Sequence, residues 1–284
     1  MRYILIFAAA ALVLVGCRPM DVRQELTKAG KAAENGKWTE ALAITENCLK
    51  EVPGHLDATV LRALCLFQAN RTEAAAVEKS LELLNQASAL APERYDIQLI
   101  YGWELLQLGR SKEALNPLRR AYELHQKPEN IAYVPQQVQG TVKYLLGECC
   151  RLNNLNADAI TYFSLASHST PFNSWPELYN NLAVLSVLSG KALEAVQWIR
   201  QAQTLSPMDG RVAINTAVIC DFLSYPEFNA KSFREYQQAR LQWYAYAREM
   251  IKSKAAATAS VAEKSALQQT DRDVARRLRE ISPR

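Results

Sequence analysis

Histidine is nearly absent from this chain: His55, His125 and His168 are its only three, and no second ligand stands near any of them at metal-binding spacing. The sequence has no H-E-x-x-H, no G-x-S-x-G and no glycine-rich phosphate loop. The common sequence routes to metal-assisted hydrolysis, acyl transfer and nucleotide binding are therefore missing. No C-x-x-C pair occurs, which removes the usual redox and zinc signatures. Runs of Val, Ile and Thr with two-residue alternation are scarce, so a β-rich core is excluded and helices are expected throughout. No run of apolar residues is long enough to span a hydrocarbon core of about 30 Å as a helix. What is present is 49% hydrophobic and 22% charged residues with a net charge of +4, the composition of a globular chain with a real core. The reading is of a chain that is not an enzyme, with no cofactor, no metal and no small-molecule substrate.

The first residues read as a targeting segment. Arg2 supplies a short positive region, and residues 4–15 form an uncharged apolar stretch of about a dozen residues, the length of a signal-peptide core. Leu14-Val15-Gly16-Cys17 follows, and it resembles the lipobox of bacterial lipoproteins. That resemblance implies cleavage before Cys17 and a diacylglycerol on its sulfur, with acyl chains of the palmitate type. An ordinary secretory signal and an uncleaved anchor are the alternatives. Two or three acyl chains hold a protein durably on a membrane, where one binds only marginally. Arg18 is not the Asp that the family associates with inner-membrane retention, which favours the outer membrane, facing the periplasm. Cys48, Cys65, Cys149, Cys150 and Cys220 then remain, an odd number. Each falls at a small or apolar slot, so buried free thiols are expected in preference to a disulfide framework.

Self-similarity organises the rest. One segment carries Tyr101-Gly102, Leu105, Gly109, Ala114, Leu118 and Ala121. A second carries Leu146-Gly147, Cys150, Asn154, Ala159, Phe163, Ala166 and Pro171. A third carries Leu182-Ala183, Ser186, Gly190, Ala195, Ile199, Ala202 and Pro207. The internal offsets agree in all three. The pattern resembles the tetratricopeptide repeat, in which a large residue and a Gly or Ala on helix A are followed by Ala, a large apolar residue and Ala on helix B.

Each slot has a physical reason. Gly102, Gly147 and Ala183 lack bulk, and Ala114, Ala159 and Ala195 face them, so paired helices can approach toward the lower end of about 8–10 Å. Leu118, Phe163 and Ile199 are expected to fill the gap to the next hairpin. Gly109 and Gly190 sit where the turn needs a positive φ, and Pro171 and Pro207 end helix B. Two earlier units fit more loosely: one through Ala29, Gly36, Ala41, Cys48 and Pro53, and one from Leu56 through an Asn70-Arg71 turn to a helix from Glu73 to Leu90. Between Ala114 and Ala159 the register gains about eleven residues over the usual 34, placed in a Pro- and Asn-rich insertion at 125–139.

A further helix A is expected over Arg211 to Leu223. Beyond it the pattern stops: Lys231 to Lys254 reads as one long helix, and Val261 to Ile281 as a more polar one that carries Arg272, Arg276, Arg277 and Arg279. A repeat array needs a cover for its last apolar face. The resulting expectation is an all-α, right-handed tetratricopeptide-type superhelix: a lipoprotein signal peptide at 1–16, the repeat solenoid at 17–225, and capping helices with a basic tail at 226–284.

The resemblance also implies where partners would bind. A helices of such a stack line a concave groove, and the positions two before and one after the small slot look into it. Here these are Ile100 and Trp103, Leu145 and Glu148, Asn181 and Val184, Asn215 and Val218. Asn181 and Asn215 are equivalent in consecutive hairpins, and an amide both donates and accepts, so it can pair with a peptide unit whatever its side chain. The expected partner-binding set is Trp103, Tyr144, Glu148, Asn181, Val184, Arg211 and Asn215. The basic residues of a carboxylate clamp are not reproduced around them. The function this implies is a scaffold that binds protein partners or extended peptide segments and helps assemble a cell-envelope complex, with no nucleic acid involved. The alternative is an accessory subunit or activator of a cell-wall or secretion enzyme.

Overall fold

The structure, a computed structural model, describes residues 20–127, 136–225 and 233–282. The segment expected to be a signal peptide with Cys17, most of the 125–139 insertion and the link at 226–232 lie outside the described residues. Thirteen α-helices and one short 3-10 turn are described, with no strand among them. The chain forms two compact units, residues 1–170 and 171–284.

The first unit is a series of helical hairpins: α1 (Met20–Glu34) with α2 (Trp38–Glu51), α3 (Leu56–Ala69) with α4 (Ala74–Leu90), α5 (Tyr95–Gln107) with α6 (Ser111–His125), and α7 (Gln136–Leu152) with α8 (Asn156–Ser167). From α5 to α8 each helix packs chiefly on its hairpin partner, whereas α2 and α3 pack on each other as extensively as on their own partners. The turns explain why the hairpins recur. At Gly36, Gly109 and Asn154 the backbone enters the left-handed region, with φ of 74°, 73° and 59°. The amide after each reaches back into the helix: Lys37 to the Ala32 carbonyl, Arg110 to Leu105 and Leu155 to Cys150, all at 2.9 Å. This six-to-one bond satisfies carbonyls that a helix end otherwise leaves orphaned. The α3–α4 turn departs from the rule: Asn70 keeps a negative φ and caps with its amide on Leu66.

The small slots work as expected, but their partner differs from the expectation. A Cβ on Gly102 would stand 2.5 Å from Leu118 Cγ, and one on Gly147 would stand 2.7 Å from Phe163 Cδ1. Leu118 and Phe163 therefore lie over the glycine of their own hairpin, fully buried. They were expected to reach toward the next one. The reason is geometric: only a helix A bare of a side chain at that level leaves room for a leucine or phenylalanine between two close axes.

One polar group interrupts this core. Glu104 on α5 is fully buried at the slot that Cys149 and Leu185 occupy in later hairpins. The Ser80 hydroxyl on α4 lies 2.8 Å from Glu104 Oε2 and 2.8 Å from the Ala63 carbonyl, while Glu104 Oε1 has no hydrogen-bond partner among the described residues. Burial pushes the Glu104 carboxyl up to about 8, against smaller opposing pulls from the Ser80 hydrogen bond and Arg71. A neutral carboxylic acid resolves the geometry: it donates to Ser80, and Ser80 donates to Ala63.

The second unit holds α9 (Pro176–Leu188) with α10 (Ala192–Leu205), then α11 (Gly210–Leu223), α12 (Phe233–Ala257) and α13 (Val261–Ile281). The α9–α10 turn repeats the cap, with Gly190 at φ 74° and Lys191 bonded to the Ser186 carbonyl at 2.7 Å. The 25-residue α12 takes the helix-B place against α11, and α13 packs on α12 as a cover that reaches α11 through Arg277. Ala217, Tyr244, Ile251 and Val274 form the core there, with Ile214, Trp243, Leu267, Leu278 and Ile281 packed around it. Asp221 of α11 fastens the cover: it accepts from Arg240 Nη1 of α12 at 2.9 Å and from Arg277 Nε of α13 at 2.8 Å. One arginine of the basic tail, half-exposed, is thus a staple onto the buried Asp221. The five described cysteines are free and buried.

Candidate functional site

The α9 and α11 helices each present one polar stripe. On α9, Glu177, Asn180, Asn181, Val184 and Leu188 follow helical spacing along a single face; on α11, Arg211, Asn215 and Val218 do the same. Two contacts join the stripes. Arg211 Nη2 donates to Glu177 Oε1 at 3.1 Å, and Asn215 Nδ2 donates to Asn180 Oδ1 at 2.9 Å. Both contacts ascend the two helices together, so the helices run parallel and residues about one repeat apart lie level.

Three levels result. At the N-terminal end stands a charge cluster in which Arg211 also bonds both oxygens of Asp209, the N-cap of α11, at 3.3 and 2.8 Å. Burial works against ionisation of Asp209, but the Arg211 guanidinium and the first amides of α11 outweigh it and hold the carboxyl below its usual range. At the middle level are three half-buried amides. The Asn180–Asn215 bond leaves the Asn180 NH2 as a donor and the Asn215 oxygen as an acceptor, and Asn181 adds both. At the far end Val184 is half-buried, while Val218 and Leu188 are exposed, at 44% and 67%. The arrangement matches an extended chain: donor and acceptor for a peptide unit in the middle, and an apolar shelf beyond.

The sequence-based set divides between the two units. Asn181, Val184, Arg211 and Asn215 fall on this face of the second unit. Trp103, Tyr144 and Glu148 lie in the first, and they form no comparable stripe. Trp103 is 5% exposed and packs edge-on against Phe67 of α3, with ring centroids 5.5 Å apart. It is a core residue, because a bulky ring at that level of α5 is covered by the preceding hairpin. Tyr144 is half-buried beside Phe163, and Glu148 is held by both Nε and Nη2 of Arg151. Ile100 and Leu145, also expected to face the groove, are buried. Asn180 and Glu177 were missed. A side chain one position off the template slot becomes visible only as an ascending pair with the next helix A.

The histidines fit local roles. His55 Nδ1 accepts from the Ala58 amide as the N-cap of α3, His125 is buried in the last turn of α6, and His168 pairs with the Ser164 carbonyl. No group of three potential metal ligands occurs among the described residues. No described helix is long and apolar enough to cross a membrane.

Residues 26–79 match the tetratricopeptide repeat family. No curated protein matches the sequence. Among solved structures, the chain resembles Pseudomonas aeruginosa PilF, with a TM-score of 0.60 at 16% identity, over 93% of this chain and 97% of that one. It also resembles PilW, described as a widely conserved type IV pilus biogenesis factor, with a TM-score of 0.56 at 21% identity, over 79% of this chain and 94% of that one. A third likeness is to YrrB, a tetratricopeptide protein with an unusual peptide-binding site, at 0.51 and 16% identity, over 66% and 88%. The fold is that of the tetratricopeptide α-α solenoids.

Proposed function

We propose, taking a tetratricopeptide-type helical stack as the premise, that this chain is a lipid-anchored adaptor of the cell envelope. It holds extended protein segments on the α9–α11 face and helps assemble a multiprotein complex. The observation that carries the reading is the open amide level of Asn180, Asn181 and Asn215 beside an exposed apolar shelf, a surface suited to main chain and not to a small substrate. The apolar stretch at 4–15 followed by Leu14-Val15-Gly16-Cys17 supports a lipid on Cys17 and a periplasmic location at the outer membrane. The fold likeness to PilW, described as a type IV pilus biogenesis factor, is in keeping with envelope assembly. The helices after residue 225 act in this reading as a cap on the repeat array.

Two experiments test it. Crosslinked affinity capture from membranes compares the native chain with an Asn180→Ala, Asn181→Ala, Asn215→Ala variant. Loss of discrete partners in the variant is expected, and unchanged recovery overturns the groove reading. Fatty-acid labelling tests the anchor: label in the parent and none in Cys17→Ala is expected, and label kept in the variant or absent from the parent removes the lipoprotein reading.

A further inference from the structure

The charge cluster at the N-terminal end of the α9–α11 face has the wrong sign for a carboxylate clamp. Arg211 is its one cation, and that guanidinium is shared between two carboxylates, Asp209 and Glu177. The cluster therefore carries a net charge of about −1 at neutral pH. The nearby Lys254 is paired with Glu263 at 3.4 Å and adds no net charge. Arg211 is spent on its own neighbours, whereas Glu177 has an unused oxygen: Oε1 takes the Arg211 bond, and Oε2 has no protein partner among the described residues. With its side chain 53% exposed, Glu177 presents that oxygen to a ligand.

At the other end, Val184, Leu188 and Val218 offer an apolar shelf. Along α9, Glu177 is about 10 Å from the level of Val184 and about 16 Å from that of Leu188, at about 1.5 Å per residue. An extended chain rises about 3.3 Å per residue. A ligand that places a cation at Glu177 thus places the side chains three to five positions away over the shelf, with the intervening peptide units at the amide level.

We propose that this face selects extended segments of a protein partner carrying a Lys or Arg about three to five positions from one or two large apolar residues, and that Glu177 and the Val184–Leu188–Val218 shelf determine this specificity. The proposal rests on the groove reading above and names the class of segment that the groove takes. The acidic end attracts a cation and repels an acidic or C-terminal segment. An ion pair of this exposure is weak and weakens further with salt, so discrimination is modest and comes from pairing charge with the apolar contact.

The test uses capped, fluorescein-labelled nine-residue peptides with one Lys and two Leu at the stated spacing, made in both chain orders. Sister peptides carry Glu for Lys or Ser for both Leu. Fluorescence anisotropy with the full chain is expected to show the Lys–Leu peptide in one order binding about 3- to 10-fold tighter than either sister at low salt. Glu177→Lys reverses the Lys-over-Glu preference, and Leu188→Ser with Val218→Ser erases the Leu dependence, while helical content by circular dichroism stays unchanged. Equal binding of Lys and Glu peptides, or a preference that survives Glu177→Lys, overturns the proposal. If binding still depends on Asn180, Asn181 and Asn215, only the specificity fails. If no peptide binds, the proposal fails, and the groove reading stands or falls separately on partner capture from membranes.

Discussion

The Ser80 hydroxyl and the Glu104 carboxyl meet at 2.8 Å inside the first unit, with no counter-ion bonded to the acid. The position is an apolar slot in the later hairpins, so the acid makes this joint sensitive to pH. The folded pKa is raised to about 8, against about 4.3 in the unfolded chain. The folded state thus keeps a proton that the unfolded state has lost. Stability is full below about pH 4, falls as pH rises between about 4 and 8, and levels off above.

Glu104→Gln and Glu104→Leu are expected to flatten that slope and to be more stable than the parent at about pH 8, by on the order of 2–4 kcal/mol. Urea denaturation followed by circular dichroism at about pH 5 and about pH 8 reads this directly. A parent equally stable at both, with Glu104→Gln destabilised at about pH 8, contradicts a neutral buried acid.

The glycines at the small slots predict a steric signature. Gly147→Ala puts a methyl within 2.7 Å of the Phe163 ring and is expected to cost about 1–3 kcal/mol by overpacking. Trimming the ring in Gly147→Ala with Phe163→Leu recovers part of that loss. Gly109→Ala, which has open space around it and a φ of 73°, costs about 1 kcal/mol through the backbone, and no neighbouring change rescues it. A thermal double-mutant cycle separates the two cases, and an additive Gly147–Phe163 pair contradicts the packing assigned to it.

Asp221 predicts how the C-terminal helix is held. Its side chain is 11% exposed and pairs with Arg240 and Arg277, and losing one member of a buried pair leaves the others uncompensated. Asp221→Ala is expected to raise hydrogen exchange in α13 by on the order of tenfold or more while α9 and α10 keep their protection. Uniform loss of protection across the second unit, or no change in α13, contradicts the staple.

The thiols predict silence. Burial pushes Cys65 and Cys149 up to about 12, and Cys150 and Cys220 up to about 11; Cys48 is raised in the same way. Thiolate is the reactive form. Iodoacetamide at about pH 8 is therefore expected to label none of the five in the native chain and all five in denaturant, read by peptide mass spectrometry. Rapid labelling of native Cys149 or Cys150 contradicts the packing at the α7–α8 turn.

Much of the fold is legible in the sequence because a repeat writes its constraints at fixed offsets. Gly36, Gly109 and Gly190 mark turns, and the polar segment Val261–Ile281 reads as the helix that is observed. What lies between hairpins is harder to read. A template built on one hairpin cannot say that Phe163 rests on Gly147 of its own pair, or that Phe67 covers Trp103, because those facts depend on how one helix level meets the next. Asn180 shows the same limit in the site: it is one residue off the template slot, and its pairing with Asn215 appears only once α9 and α11 are parallel and in register. Glu104 is similar, since a lone acid in a helix reads as surface until both neighbours are placed.

The most direct test of the account is photocrosslinking from the α9–α11 face in membranes. A benzophenone amino acid is placed at Val218 and, in a second chain, at the exposed Leu193 of α10. Discrete partner adducts from position 218, competed away by the Lys–Leu peptide and absent from position 193, are the predicted result. Adducts of equal yield from both positions, or adducts from 193 alone, contradict it.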